Sequence, residues 1–144
     1  FLSEYNGDKN DAWRDYITYG GLPLILSLES SQQKSNYLHN LYQTVYLKDL
    51  IDRNGIKKAV EFDALTKVMA SSIGSPCNPN KLSKTFKSVS NTDLSSITID
   101  NYLGFLQDAF LLEKASRYDI KGKKYIGTLS KYYFYDKQDF YITN

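Results

Sequence analysis

The chain has 144 residues, 42% of them hydrophobic and 24% charged, which is the composition of a folded globular protein and excludes a largely disordered one. It holds no apolar run of about 18 residues and no visible secretory signal, so we expect a cytoplasmic protein that does not enter a membrane. The single cysteine, Cys77, excludes an internal disulfide. The net charge of +2 is too small to predict a nucleic-acid partner, so local charge has to decide that question.

The first part of the chain predicts a helix followed by a short helical turn. Asn10 or Asp11 supplies a side-chain oxygen that caps a helix over residues 12–19, which a pair of glycines ends. A proline then opens a short helix over 24–28.

A longer helix is predicted next. Ser30 or Ser31 begins it and Gly55 ends it. Its apolar residues recur at helical spacing and predict one buried stripe made of Leu38, Leu41, Tyr42 and Val45.

Three more helices are predicted in the second part of the chain. The first carries a stripe of Phe62, Leu65, Val68 and Met69. Asn78 caps the second, with a proline at its first position, and this short helix covers 81–89. The third follows a polar turn. Its predicted buried face consists of Ile99, Leu103, Leu106 and Phe110.

The period then changes from that of a helix to that of a strand. Residues 111–119 predict an extended strand, 121–124 a turn, and 125–128 with 131–135 the returning strand. In the returning strand, Tyr132 and Phe134 point to one face, and Tyr133 and Tyr135 to the other. The last residues, 137–144, give no signal and are predicted to be a frayed or divergent tail.

This element order predicts a mainly α fold with a small β-hairpin, of the α+β class. A helical, lid-like segment over 1–56 is followed by a winged helix-turn-helix domain over 57–136. A generic α+β domain with the same element order is the alternative. Because the chain begins at Phe1, we expect it to be a piece of a larger protein, with a processed small protein as the other possibility.

The chain resembles the part that follows the nucleotide-binding core in a family of predicted bacterial and archaeal AAA+-type ATPases with a C-terminal domain of unknown function. No single motif is specific, and the resemblance depends on the order of all of them. The matching segments are 16–23, 37–53, 70–75, 81–85, 98–103, 117–125 and 131–136.

The resemblance implies that this chain is the lid and winged helix of a parent ATPase that binds ATP and magnesium. The chain itself has no phosphate-binding Gly-x-x-x-x-Gly-Lys motif, so we expect neither a cofactor here nor enzymatic activity. The resemblance implies a nucleotide-sensing role for Arg53. The alternative for this residue is an ion pair with Asp49, one helical turn earlier.

Metal binding and catalysis have weak support in the sequence. His39 and Cys77 are the sole imidazole and thiol, so we predict no metal ligands in this chain. Asp108, followed by Asp119 and Lys121, imitates the spacing of metal-dependent nucleases. The first of these acids belongs to a predicted helix and the second to the hairpin, so we treat the match as accidental.

Local charge indicates where a nucleic acid would bind. Residues 91–113 hold four acidic residues and no Lys or Arg, so the third helix would repel phosphate, and only Thr98, Asn101 and Gln107 would be able to read bases. Residues 114–131 hold six cations against one acid, a net charge of +5. The candidate contacts to nucleic acid are Lys81, Lys84, Lys87, Arg117, Lys121, Lys123 and Lys124.

These patterns predict contact with the DNA backbone through a basic wing, without reading of the base sequence. The alternative is a module for interaction with other protein domains or subunits, or for oligomerisation, with no role in nucleic-acid binding. A lysine-rich hairpin that is merely solvated, and so protects an edge strand, would carry the same charge.

Overall fold

The fold is that of a computed structural model, which describes residues 5, 7–119 and 124–135. The chain divides between Asp49 and Leu50 into two compact units. The domain limits expected from the sequence, after residues 56 and 136, stay a prediction.

The first unit is helical. Helix α1 spans Lys9–Tyr19, a 3-10 turn spans Pro23–Ser27, and α2 spans Ser31–Leu41. A π-helical segment, Tyr42–Leu47, joins α2 to α3, Lys48–Asn54, whose residues from Leu50 onward belong to the second unit. The helix expected between Ser30 or Ser31 and Gly55 is therefore present, with a change of hydrogen bonding in its middle.

The start of one of these helices was predicted correctly and the start of the other was not. The Ser30 side chain accepts from the backbone of Gln33, whose own side chain returns to the Ser30 backbone in a capping box. Helix α1 instead begins after Asp8, so the expected cap at Asn10 or Asp11 was wrong. Asp11 lies in the first turn, where its negative charge favours the positive end of the helix dipole.

The core of the first unit forms around Ile25, Leu38 and Tyr42. Val45 was predicted on the same buried stripe, but it is 50% exposed. The π-helical segment explains the error, because its hydrogen bonds span one more residue per turn and rotate the following side chains away from the stripe.

After the last residues of α3, the second unit continues with three further helices. Helix α4 spans Ala59–Ser71, α5 spans Pro79–Ser90 and α6 spans Ser96–Asp108. Phe62 of α4 and Tyr102 of α6 meet edge to face, with ring centroids 5.2 Å apart. This pair links the first and third of these helices.

The stripe predicted for α6 is correct except at its end. Ile99, Leu103 and Leu106 are at most 1% exposed, whereas Phe110 is 71% exposed. The helix ends at Asp108, and Phe110 then adopts a positive φ of 56°, which turns its side chain away from the helix axis.

A three-stranded antiparallel sheet completes the unit. Strand β1 is Pro76–Cys77, β2 is Leu112–Asp119 and β3 is Lys124–Phe134, in the order β1-β3-β2. The short strand β1, which pairs with Lys131 and Ser130 of β3, was not predicted from the sequence. Strand β3 is continuous rather than broken into two segments as expected.

The predicted alternation along β3 is confirmed. Tyr132 is 4% exposed, whereas Tyr133 and Tyr135 are 41% and 53% exposed. The expected hairpin turn falls largely in 120–123 and the expected tail in 137–144, both outside the described residues. Helices with a small antiparallel sheet confirm the α+β class, and the winged helix stays a prediction.

Candidate nucleic-acid interface

Helix α5 presents a row of lysines to solvent. Its start is fixed locally, because the Asn78 side chain accepts from the Asn80 backbone at 2.9 Å and Pro79 occupies the first helical position. The helix holds no acidic residue. Its three exposed cations, spaced three residues apart along one side, are Lys81, Lys84 and Lys87.

The opposite side of α5 is anchored to the rest of the unit. Phe86 is 6% exposed and packs inward. The Ser83 hydroxyl donates to the Leu94 carbonyl oxygen at 2.5 Å, across the turn that leads to α6. In the same turn, Lys58 Nζ donates to the Asp93 carbonyl oxygen at 2.8 Å. These contacts fix the side of α5 that faces the protein and leave the lysines on the other side.

Helix α6 and its flanking residues carry the opposite charge. Every acidic side chain between residues 91 and 113 is exposed: Asp93, Asp100, Asp108 and Glu113. Since no cation lies in this segment, its surface repels a phosphate backbone.

Two of the three side chains that were expected to read bases are bonded within α6 itself. Gln107 Nε2 donates to the Leu103 carbonyl oxygen at 3.0 Å. The Thr98 hydroxyl is 2.8 Å from the Ser95 hydroxyl, which also caps the helix. Asn101 is exposed. This arrangement does not favour sequence reading by α6.

The hairpin of β2 and β3 holds the other group of predicted contacts. They are Arg117, Lys121, Lys123 and Lys124. Arg117 lies in β2, at the irregularity between Ser116 and Tyr118. Lys124 begins β3 and pairs with Asp119. Lys121 and Lys123 are outside the described residues. Lys114 and Lys131, which the sequence did not single out as contacts, are both exposed on these strands.

Strand β1 ties the start of α5 to the hairpin. Pro76 pairs with Lys131 of β3, and α5 begins three residues after Pro76. Lys81 lines a small cavity of about 190 Å³ that is also bounded by Pro76 and by residues of α4 and α5. The first lysine of α5 therefore lies near the end of β1. Two consecutive strand residues give no periodic signal, which is why the sequence did not predict this link.

Neither a metal site nor a reactive thiol is found in the part of the chain that the structure describes. Within it, no group of three or more His, Cys, Asp or Glu side chains is placed to hold a metal ion. His39 is exposed on α2 and Asp108 is exposed at the end of α6. Burial raises the pKa of the Cys77 thiol, and the nearby Asp100 raises it further, so the unreactive protonated form is favoured.

No helix in the described part of the chain has the length and apolar character that a membrane crossing requires. Arg53, the residue assigned a nucleotide-sensing role by resemblance, is exposed in the last turn of α3.

Comparison with known proteins places the chain in a family. Residues 10–137 match the model of a domain of unknown function, DUF8612. The chain belongs to the DUF8612 family. An uncharacterized protein of Haemophilus influenzae is 33% identical over 124 residues, which is 86% of this chain and 30% of that protein. An uncharacterized protein of Methanocaldococcus jannaschii is 25% identical over 109 residues, which is 76% of this chain and 24% of that protein.

The chain thus spans less than a third of the length of these curated relatives. No solved structure gives a significant match. The resemblance to AAA+-type ATPases was wrong, because the matching family is a domain of unknown function and its relatives carry no ATPase description. That resemblance was the sole basis for a nucleotide-sensing role of Arg53. It was also the sole basis for expecting ATP and magnesium in a parent protein.

Proposed function

We propose that the unit Leu50–Tyr135 is a winged-helix domain that binds the DNA backbone through lysine side chains and does not read the base sequence. The observation on which this depends is the exposed, acid-free lysine row of α5, Lys81, Lys84 and Lys87. A DNA strand is a regular row of negative charges, and a row of cations on one helix face complements it.

The order of the elements supports the winged-helix part of this proposal. The unit has the element order that is typical of winged-helix domains: helix α4, strand β1, helices α5 and α6, and the hairpin of β2 and β3. The short first strand joins the hairpin, which gives the sheet order β1-β3-β2. In this arrangement α5 and α6 form the helix-turn-helix pair.

The distribution of charge supports backbone contact over sequence reading. In most helix-turn-helix proteins the second helix of the pair enters the major groove. Here that helix is α6, whose exposed charges, Asp100 and Asp108, are both acidic. Phosphate contacts position a protein on DNA without conveying sequence, and the lysines of α5 and the hairpin are suited to such contacts.

Binding to labelled DNA duplexes of two unrelated sequences, followed by fluorescence anisotropy at rising salt, tests the proposal. We expect equal affinity for both duplexes and a loss of at least tenfold when Lys81, Lys84 and Lys87 are all changed to Glu. The control changes Lys9, Lys48 and Lys57 to Glu, which are exposed on α1, on α3 and in the loop before α4. Both variants exchange three positive charges for three negative ones, so a general effect of net charge would weaken both equally.

A third variant examines the hairpin, with Lys121, Lys123 and Lys124 changed to Glu. We expect a loss similar to that of the α5 variant. No binding at low salt, a preference for one duplex, or an equal loss in the control would overturn the proposal.

A module for protein interaction is the second candidate function, and one observation favours it. The sheet face opposite the helices exposes Leu129, Tyr133 and Tyr135, which are 47%, 41% and 53% exposed. Exposed apolar side chains grouped in this way are typical of interaction sites.

A further inference from the structure

The exposed face of the sheet carries a row of mainly apolar side chains that is interrupted by one cation, Lys131. Leu129, Lys131 and Tyr133 of β3, and Tyr135 just beyond the end of that strand, alternate with the inward Tyr132, so they share one face. At about 3.3 Å per residue, the stripe is about 20 Å long. These four residues, with the neighbours on β1 and β2 introduced below, are called the sheet face.

The ends of the sheet face are extended by other elements. At one end, the exposed ring of Phe110 meets Tyr135 edge to face, with ring centroids 5.9 Å apart. At the other end, a shallow apolar depression of about 370 Å³ is lined by Pro76 of β1, Ala115 of β2, and Leu129 and Lys131 of β3. The apolar surface therefore runs across all three strands.

Phe110 is held in this exposed position at an energetic cost. Its φ of 56° lies in the left-handed region, which costs a bulky L-residue about 1–2 kcal/mol. Burial in the core does not offset that cost, since the residue is 71% exposed. A partner that covers Phe110 and Tyr135 would offset the cost of this backbone conformation, because aromatic pairs of this size contribute strongly to binding when water is excluded from them.

The charges of the sheet face are balanced and self-complementary. Glu113 of β2 pairs with Tyr133, and Ala115 pairs with Lys131, so one anion and one cation lie diagonally across neighbouring strands on this face. Both side chains are exposed. A polyanion is disfavoured here because Glu113 would repel it, and a strongly charged peptide of either sign would meet one like charge.

We infer that the sheet face binds a second copy of this chain across a two-fold axis. In such an interface each contact occurs twice, so Glu113 of one copy faces Lys131 of its partner and the reverse. The apolar stripe of each copy then covers that of the other. The lysine row lies on α5 and not on the strands of the sheet face, so this inference and the proposed DNA contact can be tested separately.

Sedimentation equilibrium of the full 144-residue chain tests this inference. We expect the apparent mass to rise with concentration toward twice the 16.5 kDa of one chain. Leu129→Ser and Tyr135→Ser should each weaken the dimer at least tenfold. Val60→Ser and Val89→Ser are the controls, because these residues are 80% and 79% exposed on α4 and α5, and they should leave the dimer unchanged.

Two charge variants test the symmetry directly. Glu113→Lys alone and Lys131→Glu alone should each be monomeric, because both contacts of the two-fold interface then join like charges. An equimolar mixture of the two variants should form a heterodimer, in which both contacts join opposite charges again. A contact within one chain would not respond to mixing.

These exposed charge changes also keep the inference testable if an apolar variant fails to fold. A wild-type chain that stays monomeric at its highest soluble concentration would overturn it and assign the sheet face to a different partner. Dimers that the controls weaken equally, or variants that mixing does not restore, would overturn it as well.

Discussion

The Ser83 hydroxyl donates a 2.5 Å hydrogen bond to the Leu94 carbonyl oxygen and so joins α5 to the turn before α6. Leu94 is 1% exposed, so its carbonyl group has little access to water that would replace this donor. We expect Ser83→Ala to lower the free energy of unfolding by about 1–2 kcal/mol, measured by urea denaturation. Ser88→Ala is the matched control, since that hydroxyl is exposed on the same helix, and it should change stability by less than about 0.5 kcal/mol.

Gly74 is expected to reject a side chain. Its φ is +70°, and a Cβ there would be 3.3 Å from Cε1 of Tyr133. Gly74→Ala should therefore lower the free energy of unfolding by about 1–2 kcal/mol. Gly104→Ala should have the opposite sign and raise it by about 0.5–1 kcal/mol, because Gly104 lies within α6 with nothing within 4 Å of a new Cβ. A loss of stability at both positions would contradict this description.

The buried phenol of Tyr132 makes stability depend on pH in the alkaline range. Burial, with smaller effects from Cys77 and Asp100, raises the pKa of Tyr132 from 10.0 to about 12. Below pH 10 the phenol is protonated in both states. Between about pH 10 and 12 the unfolded chain loses this proton more readily than the folded one, so the free energy of unfolding falls as pH rises.

Urea denaturation between pH 9 and pH 12 measures this effect. Tyr132→Phe should reduce the fall in stability over that range, because the variant has no proton to lose at this position. Tyr133→Phe, which removes the hydroxyl of an exposed tyrosine, should leave the fall unchanged. Equal curves for wild type and Tyr132→Phe would show that this phenol is not the cause.

The first unit contains an ion pair with little access to solvent. Lys34 Nζ lies 2.5 Å from Asp15 Oδ2, with the two side chains 10% and 23% exposed. Lys34→Met removes the cation and leaves a partly buried carboxylate, so it should destabilise the protein by about 2–3 kcal/mol. The surface pair of Lys67 and Asp63 is the comparison, and Lys67→Met should cost less than about 1 kcal/mol because that lysine side chain is 50% exposed. Thermal unfolding of the two variants would measure this difference in stability loss.

Features set by local chemistry were predicted from the sequence. The Ser30 cap and the Asn78 cap with its following proline depend on neighbouring residues alone, and both are present. The alternation of Tyr132 and Tyr133 follows from strand geometry and is also present. The exposure of the α5 lysines could be expected in the same way, since the helix has one apolar side.

Features set by distant contacts or irregular backbone were missed. The π-helical segment moved Val45 to the surface, and the left-handed conformation of Phe110 did the same beyond the end of α6. Strand β1 exists because β3 pairs with it, and two residues carry no period of their own. The sheet face was missed as well, because its extent depends on which strands are neighbours, and the pairing of β1 with β3 could not be predicted.

The salt dependence of DNA binding tests the central claim most directly. The slope of log affinity against log salt concentration falls by about 0.9 for each phosphate contact that is lost. Changing Lys81, Lys84 and Lys87 together to Gln should therefore reduce the slope by about 2.7, while the same change at Lys9, Lys48 and Lys57 leaves it unaltered. An unchanged slope in the α5 variant, or an equal reduction in the control, would contradict the assignment of the lysine row to the DNA backbone.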